Sequence, residues 1–387
     1  MQTTWLDKHF KGDRTIWLIV FILSIFSLLA VYSSTGTLAY KYKSGNTEYY
    51  LLKHLIILAF GLGLMYVAHL IRYTYYSRIS QWAIWITVPL LGLTLLLGTN
   101  LNEASRWLTL PGINITFQTS DFAKLALIMY VARILSRKQD QIDNFKSAFL
   151  PVIAPVLVVC ILILPANFST AAVVFISACY LMFIGRIRMK FILGTIGAGI
   201  VTFALFVAIA FATGKTGRID TWKSRIERFS GADDSDNYQT EQAKIAIARG
   251  GFFGSFPGNS VQRNFLPHPY SDFIYAIIIE EYGLFGAAFV LFLYLLLFFR
   301  VIRFIYHSPM AFGTLLAAGC TFMLVFQAFI NMAVAVNLIP VTGQPLPLIS
   351  MGGTSIWFTS ISLGIVLSVS RQIEKEKKEG SHELEAS

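Results

Sequence analysis

One carboxylate, Asp272, stands where a polar loop gives way to a long apolar run that begins at Phe273. A charge at the mouth of an apolar helix reaches water-borne substrate while feeling a reduced dielectric, so it sits where a carboxylate can do chemistry. The bland alternative is an N-cap, in which Ser271 or Asp272 satisfies the orphan amides of the helix start. Glu280 and Glu281 follow in the same run, about 12–13.5 Å deeper at 1.5 Å per residue. On a continuous helix Glu280 lies about 80° from the Asp272 face and Glu281 opposite it. Each reads first as a buried partner for a basic group on a neighbouring helix. The Asp272 face continues through Ala276, Ile279, Gly283 and Gly286, small enough to let another helix approach. Asp121 and Lys124 share a face of an earlier helix. They read equally as an internal ion pair and as a polar group held for a ligand.

The element that must position Asp272 is the stretch 238–286. Gly250, Gly251, Gly254 and Gly258, with Pro257, Pro267 and Pro269, mark an irregular loop with tight turns. Tyr238 to Ile247 is compatible with a short surface helix. Around this loop the chain is apolar: 55% of its 387 residues are hydrophobic and 13% charged, against about a quarter charged in soluble domains. The fold class is therefore all-α, a polytopic membrane protein. Apolar blocks at 15–34, 50–71, 79–98, 117–135, 148–165, 169–185, 190–213, 272–299, 311–336 and 346–370 give about ten spans. The first is read as a retained helix, with no cleavage signal behind it.

The formal net charge of +10 invites a nucleic-acid partner, but its distribution argues for cytoplasmic loop bias instead. With residues 1–14 as a cytoplasmic tail, Arg72, Arg78, Arg137, Lys138, Lys146, Arg186, Arg188, Lys190, Arg300 and Arg303 all fall inside. So does the tail 371–387. The short outer loops hold Lys41, Lys43 and Arg106, and the large loop 214–271 faces outward between the seventh and eighth spans. Cys160, Cys179 and Cys320 lie in apolar segments without metal spacing and read as packing residues. No Walker loop or dinucleotide fingerprint occurs.

Five segments carry a resemblance: NEASRWL at 102–108, QTSDFAKLALIMYVAR at 118–133, YQTEQAKIAIARGGFFG at 238–254, PGNSVQRNFLPHPYSDFIYAIIIEEYGLFG at 257–286 and NLIPVTGQPLPLISMGGTS at 337–355. In wording and order they resemble the SEDS (shape, elongation, division and sporulation) family of FtsW, RodA and SpoVE type, over nearly the whole chain. Three departures stand out. Gln118-Thr119-Ser120-Asp121 replaces the usual Gln-Pro-Ser-Glu and keeps the carboxylate. Ala166-Asn167-Phe168-Ser169-Thr170 replaces Pro-Asp-x-Gly-Thr and loses a charge at Asn167, which takes no acid–base role here. Ser350-Met351-Gly352-Gly353 replaces Ser-Tyr-Gly-Gly.

The resemblance implies a peptidoglycan glycosyltransferase that polymerises lipid II on the outer face of the cytoplasmic membrane. It also implies a class B penicillin-binding protein as transpeptidase partner and, for the division type favoured by the 257–286 and 337–355 wording, other division proteins. The alternatives are an elongation-type polymerase and a lipid II flippase or scaffold. Asp272 becomes the candidate general base. Arg106, beside Trp107, and Lys124, tuned by Asp121, become contacts for the pyrophosphate or the acceptor; an interfacial anchor is the alternative for Arg106. Lys223 and Arg225, with Arg228, could clamp anionic headgroups or form a plain surface cluster. Asn259, Ser260 and Gln262 are uncharged donors suited to sugar hydroxyls or to local turns, and Glu280 completes the candidate substrate set. A magnesium or manganese ion suits the pyrophosphate, although no outward carboxylate cluster specifies one.

Overall fold

The structure, a computed structural model, describes residues 11–43, 45–101, 104–109, 116–213, 238–306, 308 and 311–386. Its elements run α1 (Arg14–Ser34), α2 (Gly36–Lys43), α3 (Thr47–Leu70), α4 (Tyr73–Leu97), β1 (Thr99–Leu101), β2 (Ala104–Thr109), β3 (Thr116–Gln118) and α5 (Thr119–Arg137). Then follow α6 (Leu150–Ile163), α7 (Phe168–Ile184), α8 (Met189–Thr213), α9 (Tyr238–Gly250), α10 (Ile274–Ile305), α11 (Ala311–Ala335) and α12 (Thr354–Ala386).

Hydropathy explains most of these helices. Among the described residues, eight are long and apolar enough to cross a membrane: α1, α3, α4, α6 with its preceding turn from Phe145, α8, α10, α11 and α12. Of the ten expected spans, the other two are α7, apolar but only 17 residues long, and α5. Helix α5 carries Asp121, Lys124 and Arg133 yet lies in the interior, with those side chains 3–6% exposed. It packs on α4, α6, α7 and α11, so its charges face protein and not hydrocarbon. Helix α8 stands at the rim with Leu193, Ile200, Leu205 and Ile209 outward.

The α1 start shows how the ends are tied. Asp13 caps it, its Oδ1 accepting from the Thr15 amide at 2.8 Å. The Asp13 amide donates to Ser370 Oγ at 2.9 Å, so α1 begins at the same end of the bundle at which α12 finishes. An even number of crossings requires this.

Three expectations need correction. The last expected block, 346–370, is not one helix: α12 begins at Thr354, and residues 337–353 form an irregular, largely buried segment with Asn337 and Leu348 at positive φ. Three prolines in fourteen residues explain it. Such backbone survives at depth because protein satisfies it: Leu346 donates to Ser350 Oγ at 2.8 Å, and Ser27 Oγ donates to the Ile349 carbonyl at 2.9 Å. Second, the loop around Arg106 is an antiparallel sheet in the order β1-β2-β3, with Trp107 opposite Gln118 and Leu108 opposite Phe117.

Third, α10 is broken at Gly283 (φ 67°, ψ −169°). What approaches Gly283 is not a helix but the loop after α9. A Cβ on Gly283 would stand 2.2 Å from the Phe252 carbonyl oxygen, and one on Gly254 2.2 Å from that of Glu281. The kink frees backbone groups that the loop takes up: Leu284 donates to the Gly251 carbonyl, and Ser255 donates to that of Glu280, each at 2.9 Å. The glycine-rich stretch is thus spliced into α10, which fixes the approach to Asp272.

Candidate active site

Asp272 lies two residues before α10. The N-cap of α10 is Phe273, without a side-chain cap bond, so neither Ser271 nor Asp272 serves as the helix cap, and the angular relation drawn to Glu280 along one helix does not apply. The Asp272 carboxylate is half-buried and accepts from Ser271 Oγ at 3.0 Å. Its backbone is held much harder than its side chain. Asn331 Nδ2 donates to the Asp272 carbonyl at 3.0 Å and to the Gln344 carbonyl at 2.8 Å. Just before Asp272, Met351 donates to the Tyr270 carbonyl at 2.9 Å, and Ser350 Oγ donates to the Ser271 carbonyl at 2.7 Å. Three consecutive carbonyls are clamped while the carboxylate keeps most of its accepting capacity.

Lys124 joins the same network. Its Nζ pairs with Asp121 at 2.7 Å and donates to Gln327 Oε1 at 3.0 Å. Gln327 Nε2 in turn donates to the Pro345 carbonyl at 3.1 Å. Gln327 and Asn331 are one helical turn apart on α11, roughly 6 Å, so one face of α11 links Lys124 to the Asp272 backbone. Gln344 Nε2 donates to Thr170 Oγ1 at 2.8 Å, at the start of α7. That helix is capped by Asn167, whose Oδ1 accepts from the Thr170 amide. Asn167 therefore holds a helix end. Asp121 Oδ2 and Asn331 Oδ1 are buried without a hydrogen-bond partner among the described residues, an unusual economy unless a ligand or water meets them.

Tyr270 was not among the residues singled out by the sequence, although a tyrosine two positions before Asp272 in a turn-rich loop was the available signal. Burial, then the Asp272 charge and the Tyr42 and Tyr50 phenols, push its own phenol above the usual value. It is thus a neutral O–H donor at physiological pH, two residues before Asp272.

Glu280 has a different setting. Its carboxylate accepts from the amides of Val261 at 2.9 Å and Gln262 at 3.2 Å, and from Ser260 Oγ. Arg249 of α9 stands 3.8 Å away. Glu281 accepts from Ser33 Oγ and from the Ser260 amide. Arg263 reaches back to the Ser33 carbonyl at 3.2 Å. Of the expected sugar-contacting residues, Ser260 and Gln262 are buried in this knot, and Asn259 is exposed with its Nδ2 on the Ser255 carbonyl. Arg106 lies on β2, where its side chain is outside the described residues. Lys223, Arg225 and Arg228 also fall outside them. Among the described residues no three His, Cys, Asp or Glu side chains converge as a metal site would require.

Fold and site define a multi-pass membrane protein with one half-exposed acid on a clamped loop at the end of the bundle opposite its termini. A family model for the FtsW/RodA/SpoVE proteins, described as "Cell cycle protein", matches residues 13–375. This chain belongs to that family. It is 32% identical over 365 residues to the probable peptidoglycan glycosyltransferase FtsW of Trichlorobacter lovleyi, covering 92% of this chain and 93% of that one. It is 30% identical over 371 residues to the stage V sporulation protein E of Bacillus subtilis, covering 94% and 98%. Among solved structures it resembles a chain of a peptidoglycan synthase complex, with a TM-score of 0.72 at 22% identity over 94% of this chain and 98% of that one. The rod shape determining protein RodA of Thermus thermophilus gives a TM-score of 0.65 at 23% identity over 93% and 97%. These two likenesses concern the fold.

Proposed function

We propose that this protein is a peptidoglycan glycosyltransferase of the division type, which polymerises lipid II into β-1,4 glycan at the outer face of the cytoplasmic membrane. The observation that carries the reading is the near full-length similarity to proteins named for that activity, joined to a single available carboxylate on a rigid loop.

The chemistry follows from the bonds. The acceptor hydroxyl of one sugar attacks the anomeric carbon of an α-linked lipid pyrophosphate. Its proton passes to the Asp272 carboxylate as the new C–O bond forms. The anomeric C–O bond breaks, its electron pair leaves with the undecaprenyl pyrophosphate, and the configuration inverts to β. Clamping the carbonyls of residues 270–272 fixes where the base stands without consuming it. Lys124 is a positioning residue in this reading, since its ammonium is spent on Asp121 and Gln327. Arg106 and the basic residues Lys223 and Arg225 are proposed to meet the pyrophosphate charge. A magnesium or manganese ion enters only as a companion of that pyrophosphate. An apolar groove of about 270 Å³ between α6, α7 and α8 is lined by Leu157, Phe168 and Phe203. It begins two residues from Thr170, the contact of Gln344, and suits an isoprenoid chain.

The orientation proposed with this function has both termini cytoplasmic and the Asp272 end outside, because the basic loops gather at the other end. After replacement of Cys160, Cys179 and Cys320, a cysteine at Ser235 reacts with an impermeant reagent in spheroplasts and one at Ser381 does not. A class B penicillin-binding protein is the proposed partner. Purified protein given purified lipid II, with and without a cognate transpeptidase, tests the activity: glycan strands support it. Transfer of lipid II across a bilayer without glycan points to a flippase. Neither activity with the partner bound points to a scaffold.

A further inference from the structure

Ser27 of α1 and His54 of α3 are polar side chains in apolar helices, and both are 0% exposed. The His54 ring Nε2 stands 2.7 Å from Ser27 Oγ. An intramembrane histidine is costly and is usually put to use. Ser24, Ser177 and Ser362 show what a buried serine does by default in this bundle. Each donates to the carbonyl four residues earlier on its own helix, at 2.7–2.8 Å. Ser27 instead donates across to the Ile349 carbonyl at 2.9 Å. A hydroxyl has one proton to give, so the proton between Ser27 and His54 belongs to His54 Nε2. That tautomer leaves Nδ1 a bare acceptor, and Nδ1 has no partner among the described residues.

Ile349 belongs to a turn, 346–350, in which Leu348 has a φ of 65°, a backbone conformation that costs energy for a bulky residue and persists only where its surroundings hold it. Two hydroxyls hold it here: Pro347 accepts from Tyr294 of α10, and Ile349 from Ser27. The turn in its own right presents Ser350 Oγ and the Met351 amide to the carbonyls of Ser271 and Tyr270. A continuous hydrogen-bonded path thus runs from His54 to the residues before Asp272. We infer that His54 is a positioning residue for the Asp272 loop, acting through Ser27 on the strained turn. By donating to Ser27 Oγ it directs the Ser27 proton to Ile349 and away from the Leu23 carbonyl, four residues back on α1. This role rests on the glycosyltransferase reading, in which Asp272 is the base, whereas the hold on the turn is measured without it.

The test uses the full-length chain in nanodiscs with three variants. His54→Leu removes the donor, His54→Gln places an amide N–H where Nε2 stood, and Ser27→Ala removes the middle of the path. Hydrogen exchange reads the turn directly. The Leu346 and Met351 amides are expected to exchange about fivefold faster in His54→Leu and Ser27→Ala, the factor one ordinary hydrogen bond supplies. They are expected to return to the wild-type rate in His54→Gln. In lipid II polymerisation, kcat per folded molecule is expected to fall about tenfold or more in the same two variants, with KM within about twofold, and to recover in His54→Gln. Joining His54→Leu to Ser27→Ala is expected to add nothing, because the two act in series. A merely structural histidine would lower Tm and leave kcat per folded molecule where it was. Should His54→Leu fail to fold, Ser27→Ala and His54→Gln carry the same expectations. A wild type that makes no glycan sinks the glycosyltransferase reading and the positioning role with it. A wild type that polymerises, with kcat or the turn amides untouched in Ser27→Ala or with no recovery in His54→Gln, sinks the positioning role alone.

Discussion

Two carboxylates eight residues apart, Asp272 and Glu280, differ in everything except charge. Glu280 is 0% exposed, and its oxygens are taken by two backbone amides, the Ser260 hydroxyl and the nearby Arg249. Asp272 is half-buried, and its side chain has one hydroxyl partner, from the residue next to it. The first is an acid used as a bolt: it holds the 260–262 turn against α10. The second is an acid whose surroundings are bolted instead. A carboxylate that must accept a proton cannot already be saturated with donors, because each donor favours the charged form and blocks approach. Burial alone would therefore point to Glu280, and free accepting capacity is what favours Asp272 as the proposed base.

The sharpest way to break this contrast is Asp272→Asn. Losing a general base costs about 10²–10⁴-fold in rate, or roughly 2.7–5.4 kcal/mol at 1.36 per decade, with folding expected to be unchanged in a thermal-shift assay. Glu280→Ala should do the reverse. It leaves the Val261 and Gln262 amides and the Ser260 hydroxyl without their acceptor, a loss of about 1–3 kcal/mol in stability for each group stranded in the interior, seen as poor extraction and a lowered Tm. Asn331→Ala leaves the Asp272 and Gln344 carbonyls without their donor and should cost about 1–3 kcal/mol. Because it loosens the loop that carries the proposed base rather than removing its carboxylate, kcat is expected to fall more than Tm alone explains.

The smallest effect is at the other end of the bundle. Asp143 is held below its usual pKa, chiefly by its hydrogen bond with Arg188. A depressed carboxylate contributes stability above its unfolded pKa, about 3.9, and loses it as pH falls through the lower folded value. Arg188→Gln is therefore expected to lower Tm slightly at neutral pH and not at all once pH is below that folded value. The pair is exposed and its effect is expected to be near the limit of detection.

How much of this was legible without coordinates follows the range of each interaction. Most of the spans and the place of Asp272 just before an apolar helix are local properties, written in hydropathy and in the break at Phe273, and apart from the last block they lie close to the observed helices. Helix α5 was legible by position but not by composition, since its Asp121, Lys124 and Arg133 make sense only inside a bundle. The polar pair Gln327 and Asn331, one turn apart in an apolar run, was a readable signal that went unused. Glu280 could not be read correctly from spacing. Its partners at 260–262 lie on a loop that reaches it only because Gly283 breaks the helix and the 250–255 segment fills the gap. Likewise Asn167 looked like a lost acid and is a helix cap.

The most direct test sets the two acids against each other in one assay: the rate of lipid II polymerisation per folded molecule for Asp272→Asn and Glu280→Gln. A loss of about a hundredfold or more is expected for Asp272→Asn at wild-type Tm. Glu280→Gln is expected to lower Tm while its rate per folded molecule stays within about threefold of wild type, far less than a lost base costs. If instead Asp272→Asn keeps its rate within that factor while Glu280→Gln abolishes it, the base is not Asp272 and the contrast drawn here is inverted.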